Sequence, residues 1–124
     1  GMRTLPPRRD HRSFRPHWLV LALRARFDAA AAVGLTESYE FVVDGESVTF
    51  DVVDGVGSAR VGAAAEPAVV LAADADTMLE LTGGAITAAD ALARGARIEG
   101  APEAIERMRD VLPSRRHLEE EAAA

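Results

Sequence analysis

Two Asp-Gly pairs, Asp44-Gly45 and Asp54-Gly55, each separate runs of alternating apolar and polar residues. Asp-Gly is a strong signal for the two-residue turn between antiparallel strands, because both positions of that turn need a positive φ. Before the first pair, Glu37 to Val43 places Tyr39, Phe41 and Val43 on one side and Glu40 and Val42 on the other. Between the pairs, Ser47 to Val53 alternates again, with Val48, Phe50 and Val52 against Thr49 and Asp51. Ser58 to Gly62 is a weaker strand in which Ala59 and Val61 alternate. These three segments predict an antiparallel meander with one apolar face.

The segments around the meander read as helices and two more strands. Pro16 suits a first helical turn. From there Trp18, Leu21, Ala22 and Ala25, with Leu19, Leu23 and Phe27, recur at three- and four-residue spacing. That pattern predicts an amphipathic helix running through the alanines to Val33, with Gly34 as its stop. Ala68 to Ala73 is a continuous apolar run, as expected of a strand buried on both faces. Asp74 is an N-cap for a helix that Gly83-Gly84 ends, and Thr87 caps a short helix that Gly95 stops. Arg97 to Glu99 is a short strand. Pro102 opens a last helix with Ile105, Met108, Arg109 and Leu112 along one side, and Pro113 marks its end. The predicted fold class is α+β: a five-stranded mixed, mainly antiparallel sheet with helices packed on one side.

Charge divides the 124-residue chain unevenly. Up to Arg26 there are seven Arg and only Asp10 as an acid, on a chain whose net charge is −6. Residues 1–15 are expected to form a flexible basic arm or linker, 16–113 the folded domain, and 114–124 a disordered acidic and alanine tail. One basic arm without a basic folded surface is a poor footprint for nucleic acid, so no direct nucleic-acid partner is expected. The apolar run Trp18 to Leu23 is far shorter than the ~20 residues that span a bilayer, so no transmembrane segment and a cytoplasmic location are expected.

Chemistry-bearing residues are sparse. The chain has no Cys, which excludes disulfides and thiolate catalysis. His11, His17 and His117 lie in or near the terminal segments, in no metal-ligand spacing. Ser38, Ser47 and Ser58 stand in strands or turns, without the strand-to-helix elbow of a nucleophile. Asp74, Asp76 and Glu80 surround a helix start, where capping and the helix dipole account for them. Gly83-Gly84 lacks the Lys-Ser/Thr of a phosphate loop. No enzyme activity, no metal and no cofactor are expected.

Three stretches carry a family resemblance: EFVVDGESVTFDVVDG, VVLAADADTMLELTGGAIT and ALARGARIEGAPEAIERM. Their order, with Gly84, Gly95 and Gly100 bracketing a short helix and a short strand, resembles the sterol carrier protein type 2 family over Leu21 to Leu112. The resemblance implies a domain that binds a hydrophobic small molecule or lipid (a fatty acyl chain or sterol-like ligand) in an apolar tunnel, as carrier or sensor. Candidate lining residues are Trp18, Phe27, Phe41, Phe50, Met78, Leu79, Ile86, Leu92, Ile105 and Met108. The same residues also suit a filled core, and both readings stand at this point. Trp18 and Tyr39 each suit either core packing or the mouth of a pocket. The segment RPHWLVLALRARFDAAAAVGLTESYEF also resembles the second domain of some HxlR-like winged-helix transcriptional regulators. That likeness implies the alternative of a regulatory or dimerisation domain without a lipid ligand, and a possible homodimer.

Overall fold

The computed structural model describes residues 15–113. Most of the basic arm and the whole tail lie outside these residues. The elements are α1 (Pro16–Arg26), β1 (Glu37–Val43), β2 (Glu46–Val53), β3 (Val56–Val61), β4 (Val69–Ala73), α2 (Ala75–Gly83), α3 (Ala88–Ala93), β5 (Arg97–Gly100) and α4 (Pro102–Val111).

The strands form one sheet in the order β3-β2-β1-β4-β5. Only β1 and β4 run parallel; the other three neighbouring pairs are antiparallel. Both Asp-Gly pairs make the expected turn, with φ of 51° and 81° at Asp44 and Gly45 and 51° and 82° at Asp54 and Gly55. They fix the register Tyr39 to Phe50 and Phe50 to Ala59. Tyr39, Phe41, Val43, Val48, Phe50, Val52, Val69 and Leu71 therefore share one face and are buried. Leu19 and Leu23 from α1, Met78 from α2, and Ala104, Met108 and Val111 from α4 close over that face.

The opposite face is polar. Ser38 donates to Asp51 and Ser47 to Glu40, both at 2.6 Å, and Arg60 pairs with Asp51 at 2.8 Å. Getting from β3 to β4, on the far side of β1, takes residues 62–68 across this face. The Thr49 hydroxyl donates to the Gly62 carbonyl at 2.7 Å, and the Ala64 amide donates to Glu40 at 3.3 Å. Thr49 is buried by that crossing strap, not by a helix.

Two expectations are corrected. The first helix ends at Arg26, not Val33. Phe27 turns to ψ 126°, which sets its ring against Phe50 with centroids 5.3 Å apart. The Asp28 carboxylate then accepts from the Ala30 amide at 3.0 Å, and the Asp28 amide donates to the Val111 carbonyl at 2.8 Å. These bonds hold the alanines in a series of turns. The run Ala68 to Ala73 is not buried on both faces either. Val69 and Leu71 are buried beneath helices, while Val70 and Ala72 on the polar face are half-buried.

Two glycines are fixed by close approach. A Cβ on Gly57 would sit 2.7 Å from the Phe50 ring and 2.9 Å from the Phe27 ring. Gly100 has φ +148°, and a Cβ there would meet the Ala68 carbonyl at 2.6 Å.

Candidate functional site

A row of three apolar side chains crosses the sheet: Phe41 on β1, Leu71 on β4 and Ile98 on β5 are register partners. The row floors a cleft of about 700 Å³. Leu23 at the end of α1 stands on one side. Leu81 and Thr82 from α2, Ile86 and Thr87 from the following turn, and Ala88, Ala91 and Leu92 from α3 form a second wall with Ala96. Ile105 and Met108 from α4, with Leu112 beyond it, form the third.

Local chemistry holds these walls. Asp74 caps α2 by accepting the Thr77 amide at 2.7 Å, and this contact, with the Thr77 hydroxyl, keeps its carboxyl below the usual range. Gly84, at φ 84°, ends α2 and frees the chain to turn toward α3. Thr87 and Asp90 make a reciprocal capping box at the start of α3. Arg94, just after α3, ion-pairs with Glu80 of α2 and ties the two helices together. Within this wall Ile86, Ala91 and Ala96 are buried together as a small core of their own, with Ala73 and Leu81 packed against it. Ala88, Ala91 and Ala96 give the wall small side chains at three positions, and that leaves room in front of them.

α4 is fastened from outside. Arg107 reaches Glu37 through two contacts, 3.0 and 3.1 Å. The Tyr39 hydroxyl donates to the same carboxylate at 2.6 Å. Burial, then the bond and charge of Glu37, push the Tyr39 phenol above its ordinary range. Tyr39 is fully buried in the core and its hydroxyl serves this anchor, not the cleft.

The two hydroxyls in the cleft wall are already bonded within the chain. The Thr82 hydroxyl donates to the Met78 carbonyl at 2.8 Å, and the Thr87 hydroxyl accepts from the Asp90 amide at 3.1 Å. The charged lining residues are Arg26 from the end of α1 and Glu106, Arg109 and Asp110 from the later turns of α4. The Asp28 to Val111 bond brings these two helix ends together, so the charge gathers at one end of the cleft. An arrangement of this kind offers apolar burial along its length and ionic contacts at one mouth.

Of the residues singled out in the sequence, Phe41, Ile86, Leu92, Ile105 and Met108 line the cleft. Phe50 and Met78 are buried in the main core, and Phe27 packs against it beside Phe50. Leu79 is half-buried on α2, away from the cleft lining, and Trp18 is 40% exposed on the outside of α1. Leu23, Leu71, Leu81 and Ile98, outside the set that the resemblance implies, line it as well. Leu71 lies across from Phe41 through the parallel pairing of β1 with β4, which no local pattern in the sequence gives. Among the described residues no three His, Asp or Glu side chains gather into a metal-binding group. No described helix is long and apolar enough to cross a membrane.

Sheet order, strand directions and one-sided helices define a sterol carrier protein type 2-like α+β fold. Solved structures agree. The sterol carrier protein 2-like 2 of Aedes aegypti superposes with a TM-score of 0.58 at 18% identity, over 77% of this chain and 94% of that one. A conserved hypothetical protein of Thermus thermophilus, described as "possibly sterol carrier protein", gives 0.57 at 22% identity over 81% and 82%. The sec-alkylsulfatase Pisa1 from Pseudomonas sp. gives 0.66 at 20% identity over 83% of this chain, which spans only 17% of the sulfatase. No protein-family model matches the sequence, and no curated protein matches it.

Proposed function

We propose that the cleft binds a hydrophobic molecule with an extended apolar body, such as a fatty acyl or sterol-like lipid, without acting on it chemically. The observation that carries this reading is the cleft of about 700 Å³ floored by Phe41, Leu71 and Ile98, whose wall hydroxyls are bonded within the chain. Its volume lies within the roughly 300–1,000 Å³ of small-molecule sites. Such a lining recognises shape and apolar area, and gives little directional discrimination. Arg26 and Arg109 favour an anionic head at the charged end, with Glu106 and Asp110 setting how it is oriented. The fold supports the reading, since sterol carrier proteins share it and the Aedes aegypti protein has also been solved in a palmitated form. The sulfatase likeness supports the fold alone, because so little of that enzyme is covered. The location that fits a carrier of this kind is the cytoplasm.

The test is displacement of a polarity-sensitive fluorescent fatty acid by palmitate. Ala88→Phe, at an exposed position on the cleft wall, fills the space while leaving the core intact. The expected result is saturable probe binding in the natural sequence and at least a tenfold loss in the variant at unchanged melting temperature. Equal binding by both proteins contradicts the assignment of this cleft.

A further inference from the structure

The two edges of the sheet are built differently. β5 is four residues long and carries Arg97 and Glu99, the short charged design that keeps an edge strand from pairing with another chain. β3 is six residues long, VGSARV, and among the described residues nothing pairs with its outer side. Its one charge, Arg60, is turned across the sheet to Asp51 at 2.8 Å and to the Ala63 carbonyl at 3.1 Å. Arg60 therefore does not guard the edge. Val56 and Val61, at the two ends of the strand, are 70% and 57% exposed.

The ladder fixes which backbone groups are free. The Gly62 amide donates to the Ser47 carbonyl at 2.8 Å, so Gly62, Arg60, Ser58 and Val56 aim their bonding groups at β2. Gly57, Ala59 and Val61 then aim theirs outward. A second copy of the strand, antiparallel and with its apolar face on the same side, pairs with these groups when Ala59 faces Ala59 of the copy. That register matches residue to residue. Val61 lies opposite Gly57, beside the Phe27 and Phe50 rings that cover that glycine. Val56 lies opposite Gly62. Arg60 lies opposite Ser58, so no like charges meet. Each exposed valine meets a residue without a side chain.

We infer that β3 is a homodimerisation edge, pairing with β3 of a second copy about a two-fold axis at Ala59 to give one continuous ten-stranded sheet. Such an interface is isologous and closes on itself. The match of exposed valine to glycine is made on both sides of the axis, and it is this match that assigns the edge to a second copy.

Sedimentation velocity of the full chain, from low micromolar to near-millimolar, measures the association. Ser58 is exposed and faces Arg60 of the copy in the proposed register, so its charge tunes the dimer without entering the core. Ser58→Arg is expected to weaken dimerisation by roughly two- to thirtyfold, since two like-charge pairs are created, and Ser58→Glu to strengthen it over a similar range. Thermal unfolding of both variants checks that the monomer fold is kept. The chain has no cysteine, so Ser58→Cys with a short bis-maleimide gives a second readout: a covalent dimer whose yield rises with concentration. A monomer at every concentration overturns the proposal, including the case in which only another protein's strand occupies the edge. So does a dimer whose dissociation constant is the same in Ser58→Arg and Ser58→Glu.

Discussion

Tyr39 is the only tyrosine in the chain, and its phenol reports on the anchor of α4. Its hydroxyl donates to Glu37, which Arg107 holds from the last helix. In the folded protein the phenol is pushed up, first by burial and then by Glu37. A free tyrosine ionises near pH ~10. The raised folded value means that Tyr39 contributes stability fully below that pH and loses it as pH rises further. The phenolate absorbance is therefore expected to stay absent as pH passes 10 and to appear together with the loss of far-ultraviolet circular dichroism. A phenolate band that develops at pH 10 in a folded protein contradicts the anchor. The alternation of β1 placed Tyr39 on the apolar face, and that much was legible. Arg107 lies 70 residues from Glu37, and no local pattern connects them.

Among the elements, caps and turns were the most legible, because their chemistry is contained in two to four neighbouring residues. Asp44-Gly45, Asp54-Gly55, Asp74 and the Thr87 box all act where their types predict. The end of α1 was not legible. Alanine propensity carries a helix through residues 29–32, but Phe27 leaves the helix to reach Phe50 over Gly57, and Asp28 captures the amides that follow. A long-range ring contact outweighs a local preference. Gly57→Ala is expected to force both rings aside and to destabilise the fold by about 1–3 kcal/mol. Urea unfolding measures it, and an unchanged midpoint contradicts the packing described. Asp74→Ala, which loses the cap of α2, is expected to cost about 0.5–2 kcal/mol. Because the folded Asp74 carboxyl sits below its usual range, that difference is present above pH ~4 and shrinks as pH falls through the folded value. Urea midpoints at neutral pH and at pH 3 check the sign.

For the whole molecule, the meander, the fold class and the one-sided helices follow from periodicity. The parallel pairing of β1 with β4 does not, since it depends on where residues 62–68 cross the sheet. The cleft shows the same division. The spacing of α4 puts Ile105 and Met108 on its inward side and strand alternation does the same for Phe41, but neither pattern separates a cleft from a filled core. Ile98 was hidden in a four-residue strand, and Phe50 and Met78 were claimed by the core because the sheet centre is covered more closely than its β4–β5 side. The proposed function requires this side of the sheet to hold an apolar ligand. The most direct measurement is a methyl-resolved NMR titration with palmitate. Saturable shifts are expected at Ile86, Leu92, Ile98, Ile105 and Met108, with Val53 and Val56 unmoved. No shift up to the solubility of the ligand, or shifts centred on the exposed valines instead, contradicts it.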